Sequence, residues 1–209
     1  MEYFEKWEAK DVVHPNQEIS GAKGWLRFKY QRTHPSRRIV CELAQVGDSA
    51  LDVGAGNCVD YEMYRERGIN YVGIDITPKF IRSAKQDYGV PNVVLGNALH
   101  LPFKSNSFPT VYCKDLLEHM PPGLYRNVLR EMIRVAYNQV IVIFFHPPWY
   151  RSTQYKKGWK GFWSNTYNEN EILKFMNGLN IELFKIIRGI VNPIDKQRQP
   201  PHTIYVFRK

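Results

Sequence analysis

The residues of this chain that could do chemistry begin with Asp52, Gly54, Gly56 and Asp75. Leu51-Asp52-Val53-Gly54-Ala55-Gly56-Asn57 reads as a buried strand running into a glycine turn. Asp75 lies 21 residues after Gly54, in a second apolar run from Tyr71 to Ile76. Glycines there let a ligand approach the backbone, and a carboxylate on the next strand accepts hydrogen bonds from ribose hydroxyls. The spacing points to a nucleoside site. A dinucleotide turn wants a third glycine beside the pyrophosphate, where this chain has Val59, which counts against a nicotinamide oxidoreductase. No Lys-Ser/Thr pair follows, which argues against a phosphate-loop nucleotidase.

A second set lies downstream. Asp115-Leu116-Leu117-Glu118-His119 puts two acids and an imidazole within one turn after an apolar strand. Such a set can accept protons, or converge on a divalent cation. His146 follows the apolar run from Gln139 to Phe145, and Pro147 and Pro148 stiffen the exit, so its imidazole is a candidate general base.

These residues need a scaffold, and the alternation of periodic segments supplies one. Helices are expected over 37–46, 58–67, 78–88, 123–136 and 168–179, with Pro78 in the first turn of the third and Thr77 as its cap. Strands are expected at 49–54, 71–76, 92–96, 110–114, 139–145, 181–188 and 203–208. Strand–helix alternation implies an α/β, doubly wound, mostly parallel seven-stranded sheet with helices on both faces. Its ligands belong outside the carboxyl ends of the strands.

Composition narrows the class. The 209 residues suit one domain, and 44% hydrophobic content with 14% aromatics fits a packed core. Cys41, Cys58 and Cys113 form no C-x-x-C pair, which fits a reducing compartment without a disulfide framework. The first residues show no secretory pattern and no apolar run reaches membrane-spanning length, so a cytoplasmic location without a transmembrane segment is expected. The net charge of +9 is concentrated: Lys23, Arg27, Lys29, Arg32, Arg37 and Arg38 interleave with Trp25, Phe28 and Tyr30. Arg151, Lys156, Lys157 and Lys160 lie between Trp149 and Trp163. Such stretches are either solvated surface or attract an anionic partner.

Asp52-x-Gly54-x-Gly56 resembles the first motif of class I S-adenosylmethionine-dependent methyltransferases, with Cys58 where a further glycine is common. Gly96-Asn97-Ala98-Leu99-His100-Leu101-Pro102-Phe103 is similar to the Gly-Asp-Ala and Leu-Pro-Phe turn of that family, Asn97 replacing the aspartate. Leu117-Glu118-His119 is similar to its Leu-Glu-His element, and the resemblance runs from about residue 37 to the end. It implies an antiparallel last strand and S-adenosylmethionine as cofactor, held by Asp52, Gly54, Ala55, Gly56, Asp75, Ile76, Asn97, Ala98 and Asp115. His146, His119 and Asp115 are the catalytic candidates. A divalent metal on Asp115, Glu118 and His119 is the lesser alternative to none. The expected reaction moves a methyl group to an oxygen or nitrogen of a small-molecule, glycan or lipid-intermediate acceptor. An RNA methyltransferase and a non-catalytic cofactor-binding protein are the alternatives. Residues 1–36 are expected to form a substrate lid on a methyltransferase domain spanning 37–209, with Trp25, Tyr30, Trp149, Tyr150, Trp159 and Trp163 stacking on the acceptor.

Overall fold

Five apolar runs set the frame. In the structure, a computed structural model describing residues 34–145, 148–157, 163–191 and 201–209, they are β1 (Ser49–Val53), β2 (Asn70–Asp75), β3 (Val93–Leu95), β4 (Phe108–Lys114) and β5 (Ala136–Phe144). All five are parallel, and the register brings Val53 beside Ile74 and Cys113, and Asp75 beside Leu95. A separate hairpin, β6 (Trp149–Gln154) and β7 (Thr166–Asn168), precedes β8 (Glu182–Ile190) and β9 (His202–Arg208). The main sheet runs β3-β2-β1-β4-β5-β9-β8, with β9 antiparallel to both neighbours. This is the expected seven-stranded doubly wound sheet with its last strand reversed. Strand order turns back between β1 and β4, and the ends of those two strands make the crevice where such sheets bind ligands.

Helices cover both faces because apolar residues recur at helical spacing. On one face, α1 (Pro35–Leu43), α2 (Tyr61–Arg65) and α3 (Pro78–Gln86) bury Val40, Cys41, Tyr64 and Ile81 against Ala50, Tyr71, Ile141 and Val206. On the other, α4 (Tyr125–Val135) and α5 (Glu169–Asn177) bury Val128, Leu129, Met132, Ile172 and Met176 against Leu51, Val111, Val142 and Phe207. Each large side chain withdrawn from water contributes about 1.5–3 kcal/mol, so the sheet is fixed from both sides.

Three local expectations are corrected. The helix expected over 58–67 shrinks to α2, because Gly56 and Cys58 both take positive φ, 56° and 57°, and a left-handed residue cannot start a right-handed helix. Thr77 occupies the N-cap of α3 but its side chain makes no capping bond; Pro78 does begin the helix. The segment after β5 contains a hairpin that the sequence reading missed. Among the described residues, no helix is long and apolar enough to cross a membrane.

Candidate active site

The turn after β1 is built around Asp75. Gly54 and Ala55 donate their N–H groups to the Ile74 carbonyl at 2.9 and 3.0 Å, tying the turn to β2. Gly54 has φ +76°, and a Cβ there would meet a Leu116 methyl at 2.9 Å, so both torsion and space call for glycine. The Gly56 N–H donates to Asp75 Oδ2 at 2.9 Å and the Thr77 N–H to Oδ1 at 2.8 Å. Burial pushes the Asp75 carboxyl up, while these donors oppose it. Each oxygen keeps a lone pair, so the fixed carboxylate can accept a vicinal diol. Ile76, half-buried, follows it at the strand exit.

Cys58 occupies a position where a glycine is common, yet it keeps the left-handed torsion. Its Sγ would lie 2.6 Å from a Cβ placed on Gly73, so the thiol fills the space that Gly73 leaves open. Burial pushes this thiol up to about 12, making it packing material rather than a nucleophile.

Asp52 sits beneath the turn rather than at its rim. It is 4% exposed and accepts the Tyr71 hydroxyl at 2.7 Å. Burial, with the negative charge of Asp60, raises its carboxyl to about 7 despite Tyr71, Tyr112 and Arg37. Arg37 itself pairs with Asp60. A carboxyl raised in the folded state favours folding less as pH climbs from its ordinary range to 7. Asp52→Asn is therefore expected to gain roughly 2–4 kcal/mol over wild type between pH 4 and pH 7. Denaturant melts at both pH values measure this; a pH-independent difference would contradict it.

The third strand leads to a turn at the same sheet end. The Gly96 N–H bonds the Asp75 carbonyl at 2.9 Å, and the Asn97 side-chain oxygen accepts the Leu99 N–H at 2.9 Å. Ala98 and Leu99 are half-buried and pack on the core. A clamp missed in the sequence pins the following segment: Glu131 accepts the Leu101 N–H, and Arg134 donates to the Leu101 and Phe103 carbonyls.

Asp115 stands where β4 ends, next to the glycine turn through Leu116. It has φ +53°, in the left-handed region that aspartate adopts more readily than most residues. One carboxylate oxygen pairs with Lys114, while Oδ1 is buried without a hydrogen-bond partner. Burial alone would raise this carboxyl, but Lys114, His202 and Arg37 overcome it and hold it at about 2.

Glu118 and His119 do not converge with Asp115. They lie in a short 3-10 turn, Leu117–His119, that sends them to different partners. The Glu118 carboxylate is fully buried and accepts the Phe145 N–H at 2.9 Å. His119 Nδ1 lies 2.9 Å from the Trp163 carbonyl. Among the described residues, no group of three or more His, Cys, Asp or Glu could hold a metal ion. The turn instead docks the hairpin: buried Asn165 donates to the Met120 carbonyl at 2.6 Å, and the Tyr167 hydroxyl donates to that of Leu117 at 2.5 Å. His146, Trp25, Tyr30, Trp159 and most of the 1–36 extension lie outside the described residues.

A polar cluster with no local sequence signal completes this edge. His34 and His202 stack with centroids 3.9 Å apart, and the Ser36 hydroxyl lies between their Nδ1 atoms at 2.7 and 3.1 Å. Burial lowers His34 to about 4 and His202 to about 3, with Lys114 and Arg37 adding to the effect and Asp115 opposing it.

The family model described as a methyltransferase domain matches residues 51–144, from within β1 to the end of β5. That segment, a little under half of the chain, is thus similar to a methyltransferase domain. It is 31% identical over 121 residues to demethylmenaquinone methyltransferase of Paenarthrobacter aurescens, covering 56% of this chain and 47% of that protein. It spans about half the length of the curated relatives it matches. Among solved structures, magnesium protoporphyrin IX methyltransferase of Synechocystis, with bound S-adenosylhomocysteine, superposes with a TM-score of 0.73 at 14% identity, covering 100% of this chain and 96% of that one. The 1,6-didemethyltoxoflavin-N1-methyltransferase of Burkholderia thailandensis gives 0.67 at 13% identity, covering 91% of each chain. At such identities these likenesses speak for the fold alone.

Proposed function

We propose that the chain binds S-adenosylmethionine at the ends of β1, β2 and β3 and transfers its methyl group to an oxygen or nitrogen of a small-molecule acceptor. One observation carries the reading: Asp75, with each carboxylate oxygen fixed by a backbone N–H, stands beside a turn that excludes side chains at Gly54. In this reading Asp75 takes the ribose hydroxyls, and Ile76, Asn97 and Ala98 lie along the adenine. Gly54, Ala55, Gly56 and Asp115 surround the methionyl end, and Asp52, buried beneath the turn, supports it from below. The cofactor supplies an already activated methyl group, so the protein has only to align a nucleophile, remove its proton and exclude water. His146 is the proposed proton acceptor, and Asp115 and His119 are the further catalytic candidates.

Acceptor recognition is assigned to the 1–36 segment, acting as a lid, and to the β6–β7 hairpin. That hairpin exposes Tyr150, Arg151, Tyr155, Lys156 and Lys157, and Lys157 Nζ lies 5.9 Å from the Trp163 ring centroid. Aromatic faces beside cations suit a planar acceptor bearing an anionic group. The relatives named above have demethylmenaquinone, magnesium protoporphyrin IX and 1,6-didemethyltoxoflavin in their names, which supports a ring-containing acceptor over RNA. RNA is the second reading, favoured by the +9 net charge. Three buried thiols without disulfides favour a reducing, cytoplasmic setting.

The test uses methyl-labelled S-adenosylmethionine with a low-molecular-mass metabolite extract and, separately, with total RNA. Label in a small product, retained at high salt, supports the proposal. Label only in RNA, lost as salt rises, supports the rival, and cofactor binding with no labelled product in either supports a non-catalytic protein.

A further inference from the structure

The two helices that cover one face of the sheet, α4 and α5, carry charges of unequal commitment. Glu131 is the only acid of α4 and pairs with Arg134. The acids of α5 are Glu169, paired with Arg188, and Glu171, which accepts the Thr153 hydroxyl of the hairpin at 2.7 Å. Glu171 acts on Arg126 electrostatically, but its carboxylate is held toward β6. Among the described residues, Arg126 and Arg130 form no ion pair, although both are exposed.

Aromatic rings hold these two guanidinium groups in place. Four residues apart on α4, they share one face of the helix, with Cβ atoms about 5–6 Å apart. Their Cζ atoms lie 5.7 and 5.1 Å from the centroid of the half-buried Phe175 ring on α5, and that of Arg126 lies 5.5 Å from the Tyr125 centroid. Arg126 Nε donates to the Tyr125 hydroxyl at 3.1 Å, and Arg130 Nη1 to Asn127 Oδ1 at 3.0 Å. Each guanidinium carries five N–H donors in a flat fork, so most stay available to an outside acceptor. Forks already oriented by a ring suit phosphate oxygens.

The surroundings decide between polyanions. None of the large hydrophobic residues exposed among the described ones lies on α4 or α5. A bilayer surface takes up an apolar group, and a stable protein interface has an apolar centre. A flexible nucleic-acid strand needs neither, because its phosphates recur on the scale of the arginine spacing and its bases stack on guanidinium planes. The sequence from residue 132 to 168 contains no acid, which extends the same positive field to the hairpin.

We propose that Arg126 and Arg130, braced on Phe175, bind adjacent phosphates of a single-stranded nucleic acid. The surface belongs to the helical layer and not to the turn after β1, so it tethers a strand whether or not methyl transfer takes place.

Fluorescence anisotropy of labelled oligouridine and oligothymidine with the full chain tests this, and the strand bound more tightly identifies the source. Wild-type binding is expected, weakened about tenfold near 50 mM salt in Arg126→Gln/Arg130→Gln. The log–log salt slope of that variant is expected to be shallower by about 1.4, since each neutralised phosphate of a single strand contributes about 0.7. Arg126→Lys/Arg130→Lys keeps the charge without the fork and is expected to fall between. Arg82→Gln/Lys85→Gln removes the same charge from exposed positions on α3 and is expected to lose under about threefold. Melting curves establish that the variants are folded. Equal losses in the two glutamine variants reduce the binding to net charge and overturn the proposal, as does absence of wild-type binding. Displacement of the strand by polyglutamate at equal charge concentration assigns an acidic protein instead. Capture by phosphatidylglycerol vesicles without strand binding assigns a membrane, and either result overturns the proposal.

Discussion

Asp75→Ala is expected to weaken S-adenosylhomocysteine binding by about 100-fold, since hydrogen bonds to a charged partner contribute about 1.5–3 kcal/mol each. The Asp75 carboxylate faces the glycine turn, where it accepts the Gly56 N–H. Truncation also deprives the Gly56 and Thr77 N–H groups of their acceptor, so loss of binding must be separated from loss of the turn. Asp75→Asn retains an acceptor oxygen and is expected to lie between the two. Titration calorimetry gives the affinities, and melting curves establish that the variants are folded. A folded Asp75→Ala protein binding within threefold of wild type would remove the ribose role.

The second large effect is acid sensitivity. His34 and His202 sit below their ordinary range, at about 4 and about 3, so the folded chain holds them neutral where the unfolded chain protonates them. Stability they confer is complete above about pH 6.5 and declines as pH falls toward 4 and then 3. Asp52 works in the opposite direction over part of that window, because its raised carboxyl favours folding as pH falls from 7. Comparing variants isolates each contribution. Relative to wild type, His202→Asn is expected to recover about 3 kcal/mol of stability between pH 7 and pH 4. Denaturant melts at the two pH values measure this, and an identical pH dependence in both proteins would contradict neutral burial of the ring.

Much of the cofactor side was legible because its geometry is local. One strand, one short helix and a second strand place Gly54 and Asp75 at the same sheet end, and hydrophobic runs alone predict those strands. The His34–Ser36–His202 cluster was not legible for the opposite reason. His34 and His202 meet only because β9 inserts antiparallel between β5 and β8, a pairing 168 residues apart that no nearby periodicity announces. Asp115, Glu118 and His119 looked like a ligand set because they are adjacent in sequence. A 3-10 turn separates them, giving Glu118 to the Phe145 N–H and His119 to the Trp163 carbonyl. The β6–β7 hairpin lacks an Asn-Gly or Asp-Gly turn and has an irregular register, so neither hairpin signal was available. The short α2 depended on the left-handed torsion at Cys58, which its residue type does not advertise.

Calorimetric titration of the unaltered chain with S-adenosylhomocysteine examines the nucleoside pocket itself, independent of any acceptor. The account predicts saturable heat at one site per chain, abolished or strongly weakened in the folded Asp75→Ala variant. Absence of heat in the folded wild-type protein, or equal heat with the alanine variant, would contradict it.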